Sequence, residues 1–148
     1  MPSTRVRPVE AADAAAWIAL RTELWPEAPE DHPVEVRDFV ANRPPDVECL
    51  VAEVAGSVVG FAEVGLRPYA EGCLSSPVGY LEGIYVAPEA RRGGVGRRLV
   101  EACEAWARRR GCREMASDRA LDNDASGAFG AGVGFAEPHR SVCYRTAL

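Results

Sequence analysis

The sequence predicts one α/β domain, in which antiparallel strands are followed by a strand, a glycine-rich loop, a helix and a further strand. The chain has 148 residues, 47% of them hydrophobic and 26% charged, which suffices for a single core. Three segments of strand character lie in the first half, and glycines at 93, 94 and 96 separate a strand from an amphipathic helix. A strand–helix–strand crossover makes two strands parallel, so we expect a mixed sheet.

The first half of the chain is predicted to hold three strands and two helices. Periodicity and the positions of proline and glycine predict a strand over 4–7, a helix over 11–25, a loop over 26–33, a helix over 34–42 and strands over 49–55 and 58–67. Gly56 and Ser57 are expected to form the hairpin turn between the last two strands. Trp17 shares a helical face with Leu20 and Leu24, which predicts a core position.

The second half of the chain is predicted to hold the crossover. A loop over 68–77 precedes a strand over 80–86, and the glycine loop then leads into a helix that ends at Gly111. Trp106 lies on the apolar side of that helix and is expected in the core. A strand over 114–117, a glycine-rich helix over 124–131 and a last strand over 141–146 complete the chain.

The residue inventory excludes several kinds of chemistry. All 17 basic residues are arginine, so Schiff-base catalysis, lysine-bound pyridoxal phosphate and the lysine-containing phosphate loop are excluded. His32 and His139 are the only histidines, and the five cysteines are odd in number, which predicts reduced thiols and no metal site. An apolar leader and long apolar runs are absent, so we expect a cytoplasmic protein without membrane contact.

Charge is distributed unevenly along the sequence. Residues 91–113 hold eight arginines and two glutamates, a balance of +6, whereas the rest of the chain carries −11. The acidic remainder favours a cationic partner. Arg108 to Arg110 fit either an anion-binding surface or a solvated helix face. Because the basic stretch is short and lacks interleaved aromatic residues, no nucleic-acid partner is expected.

The glycine loop is a candidate anion site. A glycine-rich turn at a helix start exposes backbone amides that have no partner inside the helix, and the helix dipole favours negative charge there. Arg91 and Arg92 add positive charge, which predicts a phosphate or pyrophosphate ligand. The alternative is a tight turn without a ligand. A dinucleotide loop is disfavoured because Leu99 stands where the third glycine would be.

The sequence resembles a known family at this loop. Arg91-x-x-Gly94-x-Gly96 is similar to the (Q/R)xxGxG/A motif of the GNAT superfamily of acetyl-CoA-dependent N-acetyltransferases. Further short runs, of which 111–118 is the most discriminating, resemble aminoglycoside 6'-N-acetyltransferases over nearly the whole chain. The resemblance implies a mixed sheet of six to seven strands with flanking helices and with two strands splayed around acetyl-CoA. It also implies acetyl transfer to the 6'-amine of aminoglycoside antibiotics, and a homodimer.

The resemblance also implies roles for individual residues. Asp118 and Glu82 are the candidate catalytic carboxylates, and both are expected to bind substrate together with Trp25 and Tyr69. Contact with the coenzyme is expected for Ile84, Tyr85, Val86, Arg91, Arg92, Gly93, Gly94, Val95, Gly96, Arg97 and Asn123.

The residues themselves leave some of these roles open. Asp118 fits a substrate ammonium site or a loop acid at a turn, and Asn123 fits a coenzyme contact or a helix cap. Glu82 lies among apolar neighbours, where a carboxylate is either paired or lines a site. Gly83 beside it is expected to mark a β-bulge that opens the sheet.

Departures from the family pattern favour a second hypothesis. Ala28 and His139 stand where relatives carry a histidine and an acid that face the substrate, which leaves another amine, such as a polyamine or peptide, as the alternative acceptor. Gly130 stands where many relatives carry a tyrosine general acid, so Tyr144 or solvent is the candidate proton donor. A third hypothesis is a module that binds acyl-CoA without turnover. The presence of the candidate catalytic residues Asp118 and Glu82 argues against it.

Overall fold

Five strands form one sheet in chain order. The computed structural model describes residues 2–148, and its strands are Thr4–Pro8 (β1), Val47–Val54 (β2), Ser57–Arg67 (β3), Val78–Val86 (β4) and Met115–Ser117 (β5). Neighbours from β1 to β4 are antiparallel, whereas β5 runs parallel to β4. The predicted mixed sheet is confirmed.

Four helices accompany the sheet. They are Ala14–Leu24 (α1), Asp31–Asn42 (α2), Val95–Arg109 (α3) and Asp124–Gly132 (α4). α1 follows a short 3-10 helix, Ala11–Asp13, so the predicted helix from residue 11 starts in tighter form. α2 begins at Asp31 instead of residue 34, because Pro33 is tolerated in a first turn, where helical amides need no partner. Within residues 2–148, no helix is long and apolar enough to cross a membrane.

The sheet separates two apolar cores because side chains alternate along each strand. On β2, Leu50 packs into the core that includes α3, whereas Val51 packs into the core that includes α1 and α2. Trp106 belongs to the α3 core and Trp17 to the α1 core, and each is 2% exposed. The predicted core positions of both tryptophans are confirmed.

The hairpin turn between β2 and β3 lies one position earlier than predicted. Val54 pairs with Ser57, so Ala55 and Gly56 form the turn and Ser57 already belongs to β3. Both turn residues have positive φ, 51° and 80°. A two-residue turn with two positive φ angles matches the right-handed twist of the strands, which explains the choice of register.

The predicted strand over 141–146 is wrong. Residues 136–148 have no regular secondary structure and are exposed throughout, so the sheet of the described chain has five strands instead of six to seven. Alternation of apolar and polar residues is present in this segment, but alternation alone does not supply a partner strand. We refer to residues 136–148 as the C-terminal tail.

The β-bulge predicted at Gly83 is confirmed. Gly83 pairs with Glu63 and Leu81 pairs with Val64, so Glu82 is the extra residue of β4. β5 pairs with β4 only from Gly79 to Leu81, before the bulge. Pairing of the two parallel strands therefore ends at this point, where β5 itself ends at Ser117, and the rest of β4 has no strand on this side.

Replacement of Gly83 by alanine tests the packing at the bulge. A Cβ at Gly83 would lie 2.4 Å from two atoms of the Trp25 ring, so the ring must move. We expect Gly83→Ala to lower the free energy of unfolding by about 1–3 kcal/mol, measured by urea denaturation. The control is Gly132→Ala in α4, where a Cβ meets no atom within 4 Å, and it should leave stability unchanged or raise it. Equal stability of both variants would contradict this packing.

Candidate active site

The second half of β4 has an edge that no strand covers. The Ala87 amide donates to the Val59 carbonyl at 2.8 Å, so residue 87 points its backbone groups toward β3. Because these groups alternate in direction along a strand, those of Val86 and Ile84 point the other way, toward the gap left by β5. Tyr85 between them contacts the α1 core. No strand bonds this edge, so it can bond an extended ligand; the Val86 carbonyl already accepts from Arg91 Nε and keeps one lone pair for a further donor.

The glycine loop lies at the end of this edge and begins α3. Gly94 caps the helix with φ of 80°, a left-handed conformation that favours glycine. A Cβ at Gly93 or Gly94 would meet no atom within 4 Å, so the space above the loop is open to a ligand. First-turn amides of a 15-residue helix point into that space. The loop therefore fits an anion.

The arginines of the loop and of the first turn of α3 make different contacts. Arg91 donates Nε to the Val86 carbonyl at 2.8 Å, and its Cζ lies 5.3 Å from the centre of the Tyr85 ring. This contact ties the loop to β4 and leaves the Nη groups as the part that can meet an anion. Arg92 is exposed and has φ of 68°. Arg97 donates to the Gly132 carbonyl at 2.6 Å, so its side chain anchors the end of α4.

Three further coenzyme candidates have structural roles. Val95 is buried in the α3 core, and a Cβ at Gly96 would lie 2.9 Å from the Phe129 ring of α4. Asn123 caps α4, since its Oδ1 accepts from the Ser126 amide at 3.1 Å. The predicted helix cap at Asn123 is confirmed. Contact of Asn123 with a coenzyme stays a prediction.

Asp118 lies directly after β5 and is held by a tyrosine. The Tyr80 hydroxyl donates to Asp118 Oδ2 at 2.8 Å. Burial of the ring, followed by this hydrogen bond, raises the pKa of Tyr80 to about 12. Tyr80 is 8% exposed, whereas Asp118 is exposed to solvent. The carboxylate is thus fixed from the protein side and open on the other.

Glu82, the extra residue of the bulge, is paired with Arg67 at the end of β3. Arg67 Nε lies 3.2 Å from Glu82 Oε1, and Nη2 lies 2.9 Å from both carboxylate oxygens. The Arg67 guanidinium also lies 3.5 Å from the centre of the Tyr80 ring. Tyr80 therefore stands between the two candidate acids, bonded to Asp118 and stacked beneath the partner of Glu82.

Trp25 packs against the bulge, and Tyr69 lies in the open. The Trp25 ring stacks on His32 at 6.5 Å and meets Phe61 edge-on at 6.3 Å. His32 Nε2 also bonds the Trp25 carbonyl at 2.7 Å, which fixes this residue after α1. Tyr69 is 62% exposed, and a hydrogen bond to Glu71 raises the pKa of its hydroxyl. The Trp25 ring thus lies against Gly83, next to Glu82 in the chain, and the roles of Trp25 and Tyr69 in substrate binding stay predictions.

The positions that depart from the family pattern have partners of their own. His139 Nε2 pairs with Glu71 Oε2 at 3.1 Å, and Ala28 lies in the turn before α2, where its carbonyl accepts from the Asp31 amide at 3.1 Å. Tyr144 is in the C-terminal tail and 91% exposed. Its role as a proton donor stays a prediction. No group of three or more His, Cys, Asp or Glu side chains among residues 2–148 could hold a metal ion.

Sequence analysis missed two residues of the site, Arg67 and Tyr80. Arg67 is separated from Glu82 by 15 positions in the sequence and reaches it from the neighbouring strand, β3. Tyr80 is 38 positions from Asp118. Alternation on β4 puts Tyr80 and Glu82 on one face, which was the signal that could have linked Tyr80 to the site. The strand pairing needed to find Arg67 is not visible in local sequence.

The splayed strands, the glycine loop on a helix start and the acids beside them are the features of an N-acetyltransferase. The model of the Acetyltransferase (GNAT) family matches residues 16–135. The chain belongs to the GNAT acetyltransferase family, and the resemblance seen at residues 91–96 is confirmed.

Relatives with assigned activities cover the whole chain. It is 46% identical to the aminoglycoside N(6')-acetyltransferase type 1 of Klebsiella aerogenes, over 99% of this chain and 98% of that relative. Against the enzyme of the same name from Stenotrophomonas maltophilia, identity is 44%, over 97% and 93%.

A solved structure supports the same assignment. The aminoglycoside N-acetyltransferase AAC(6')-Iy bound to a bisubstrate analogue, CoA-S-monomethyl-acetylneamine, superposes with a TM-score of 0.92 at 34% identity, over 99% of each chain. The same enzyme in complex with CoA gives a TM-score of 0.94, over 100% of this chain and 97% of the other.

Stability at high pH tests the environment of Tyr80. Because the pKa of Tyr80 is raised above the ordinary tyrosine value of 10.0, the folded state holds this proton more tightly than the unfolded state does. Its contribution is fully present below about pH 10 and is lost as pH rises toward the folded pKa. We expect the unfolding free energy of Tyr80→Phe to fall less between pH 9 and 11.5 than that of the wild type.

Urea denaturation at several pH values gives both curves. Tyr144→Phe, which removes an exposed phenol, is the matched control. Parallel pH curves for wild type and Tyr80→Phe would show that Tyr80 is not held in this way.

Proposed function

We propose that this chain transfers the acetyl group of acetyl-CoA to the 6'-amino group of an aminoglycoside, an activity that confers resistance to these antibiotics. The observation that carries the proposal is the pair of acids, Asp118 and Glu82, arranged around Tyr80 beside the free edge of β4. Relatives named for this activity align over nearly the full length of the chain.

The described residues fit the coenzyme. Acetyl-CoA supplies an activated acetyl thioester and a pyrophosphate. The open space above Gly93 and Gly94, and the amides at the start of α3, fit the pyrophosphate. Outward-pointing backbone groups of Ile84 and Val86 fit the amides of an extended pantetheine arm, which would lie as an added strand in the gap between β4 and β5.

Acceptor binding is assigned to the carboxylates. An aminoglycoside carries several ammonium groups, and the chain outside residues 91–113 has a charge balance of −11. Asp118 and Glu82 offer acceptor oxygens at the branch point of β4 and β5, where the acetyl group must arrive. Trp25 beside the bulge and Tyr69 on its exposed loop would line the sugar pocket.

Asp118 is the general base of the proposed reaction. It accepts the proton that the acceptor ammonium must lose before the nitrogen can attack, directly or through water. The nitrogen then bonds to the acetyl carbon as the carbon–sulfur bond breaks, and it loses its second proton to solvent to give the neutral amide. A proton from solvent, or from Tyr144, neutralises the departing thiolate. Tyr80 holds Asp118 in place through Oδ2. The other carboxylate oxygen of Asp118, Oδ1, remains available to the substrate.

Another amine is the second candidate acceptor. In this chain His139 is paired with Glu71, so the cationic substrate would meet an occupied pair where relatives carry an acid. This difference is the observation that supports a polyamine or peptide amine as the second hypothesis, with the same coenzyme and the same base.

The C-terminal tail supports a homodimer. Val142 and Tyr144 are 70% and 91% exposed, although a tail with strand alternation would normally bury such residues. A cavity of about 460 Å³ lies between the end of α3, β5 and the residues after α4, lined by Cys112, Met115, Val133 and Phe135 among others. β5 has strand neighbours on one side only. We propose that the tail of one protomer pairs with β5 and fills this cavity in its partner.

The five free cysteines suit a cytoplasmic location.

Removal of the base tests the function. We expect Asp118→Asn to lower kcat/KM for tobramycin by about 100-fold or more, because a positioned base contributes that much and asparagine can still accept from Tyr80. Thiol release from acetyl-CoA measures the rate. Asp38→Asn, an exposed acid on α2, is the control and should retain wild-type activity. Turnover of spermidine but not of aminoglycosides would overturn the acceptor, and an active Asp118→Asn would overturn the base.

Truncation after Arg140 tests the dimer. The intact chain is expected to sediment at about twice its 15.9 kDa, and the truncated chain as a monomer, because the exchanged segment is gone. Sedimentation velocity gives both masses. Val142→Asn is the milder variant and should weaken the dimer, since it replaces an apolar side chain that would pack beside Met115, Val133 and Phe135 with a polar one. A monomeric wild type would contradict the exchange.

A further inference from the structure

Arg67 joins the two halves of the candidate site on one face of the sheet. It is the last residue of β3 and pairs with Val78, two residues before Tyr80 on β4. Its side chain extends diagonally across the Tyr80 ring and ends on Glu82. A positive charge therefore occupies the surface where a cationic acceptor would have to approach.

The bond between Arg67 and Glu82 is well formed but open to solvent. Both nitrogens that face Glu82 lie within 3.2 Å of its oxygens. The two side chains are 43% and 42% exposed. Exposed ion pairs contribute little net free energy, because water and salt compete with each partner. A second cation can therefore replace the guanidinium at modest cost.

Another arginine on the same face shows the contrast. Arg21 of α1 has a side chain only 8% exposed; its Nε lies 3.0 Å from Glu63 Oε2 and its Nη2 lies 2.5 Å from Glu35 Oε2. Trp17 Nε1 donates to the same Glu63 oxygen at 3.0 Å. Removal of one partner from such a buried pair leaves an uncompensated charge. Arg21 is thus a permanent part of the core, whereas Arg67 is exchangeable.

We propose that Arg67 sets the affinity of the acceptor site: it is a resident counter-ion of Glu82 that an ammonium group of the acceptor must displace. This inference rests on the proposed function, since it assigns an acceptor group to Glu82. Arg67 and the acceptor compete for the same carboxylate oxygens. With Arg67 in place, the charges of Arg67, Glu82 and Asp118 add to −1, and without it the two acids attract cations at −2. Arg67 therefore weakens the binding of every cationic acceptor.

Neutralisation of Arg67 tests the competition. Arg67→Gln should lower the KM for tobramycin about two- to five-fold, the range in which exposed ion pairs fall. It should strengthen tobramycin binding by the same factor in calorimetric titration, where no acetyl transfer is needed. In a Glu82→Gln background the substitution should no longer have this effect. Arg5→Gln, which removes an exposed charge from β1 at the far edge of the sheet, is the matched control.

The outcomes separate this inference from the proposed function. A KM or dissociation constant that rises or stays constant in Arg67→Gln would overturn the competition, and a rise would make Arg67 a positioning residue for Glu82. An equal fall of the KM and the dissociation constant in Arg5→Gln would show that the effect comes from the net charge of the protein. That result would also overturn the proposed competition. A wild type that binds tobramycin without acetylating it would overturn the proposed function while the binding comparison still tests Arg67. A wild type that binds no cation would overturn both.

Discussion

The site depends on the point at which β4 and β5 stop pairing. Their parallel ladder lasts from Gly79 to Leu81 and ends where Glu82 enters β4 as an extra residue. Beyond that point the outward backbone groups of β4 have no strand to bond. This edge is only partly buried, so water can bond its amides and carbonyls until an extended ligand replaces that water. The same irregularity creates the free edge and puts a carboxylate beside it.

Packing on both faces keeps this irregularity in place. On one face Trp25 lies directly against Gly83, held by its stacking on His32 and by the bond from His32 to its carbonyl. On the other face the core around Leu99 and Trp106 fixes α3, and with it the glycine loop at its start. Coenzyme and acceptor sites are therefore set by two cores that share one sheet. Rigid elements on both sides suit a reaction that depends on alignment of its reactants.

Local patterns predicted most of the fold, and long-range pairing limited the rest. Glycine spacing and helix periodicity were enough for the loop and for α3, and Gly83 was enough for the bulge, because each feature depends on adjacent residues. The Arg67–Glu82 pair and the Tyr80–Asp118 bond depend on strand register and could not be predicted from sequence. The strand over 141–146 failed for a related reason, since a strand needs a partner that its own sequence does not specify.

Amide chemical shifts on addition of the two ligands test the central claim, that the gap between β4 and β5 is where coenzyme and acceptor meet. We expect coenzyme A to change the amide chemical shifts of Ile84 and Val86 and of the loop at residues 93–97. A polycationic aminoglycoside should then shift Glu82, Gly83 and Asp118, together with the Trp25 indole. Shifts from either ligand confined to the cavity lined by Cys112, Met115 and Val133 would contradict it.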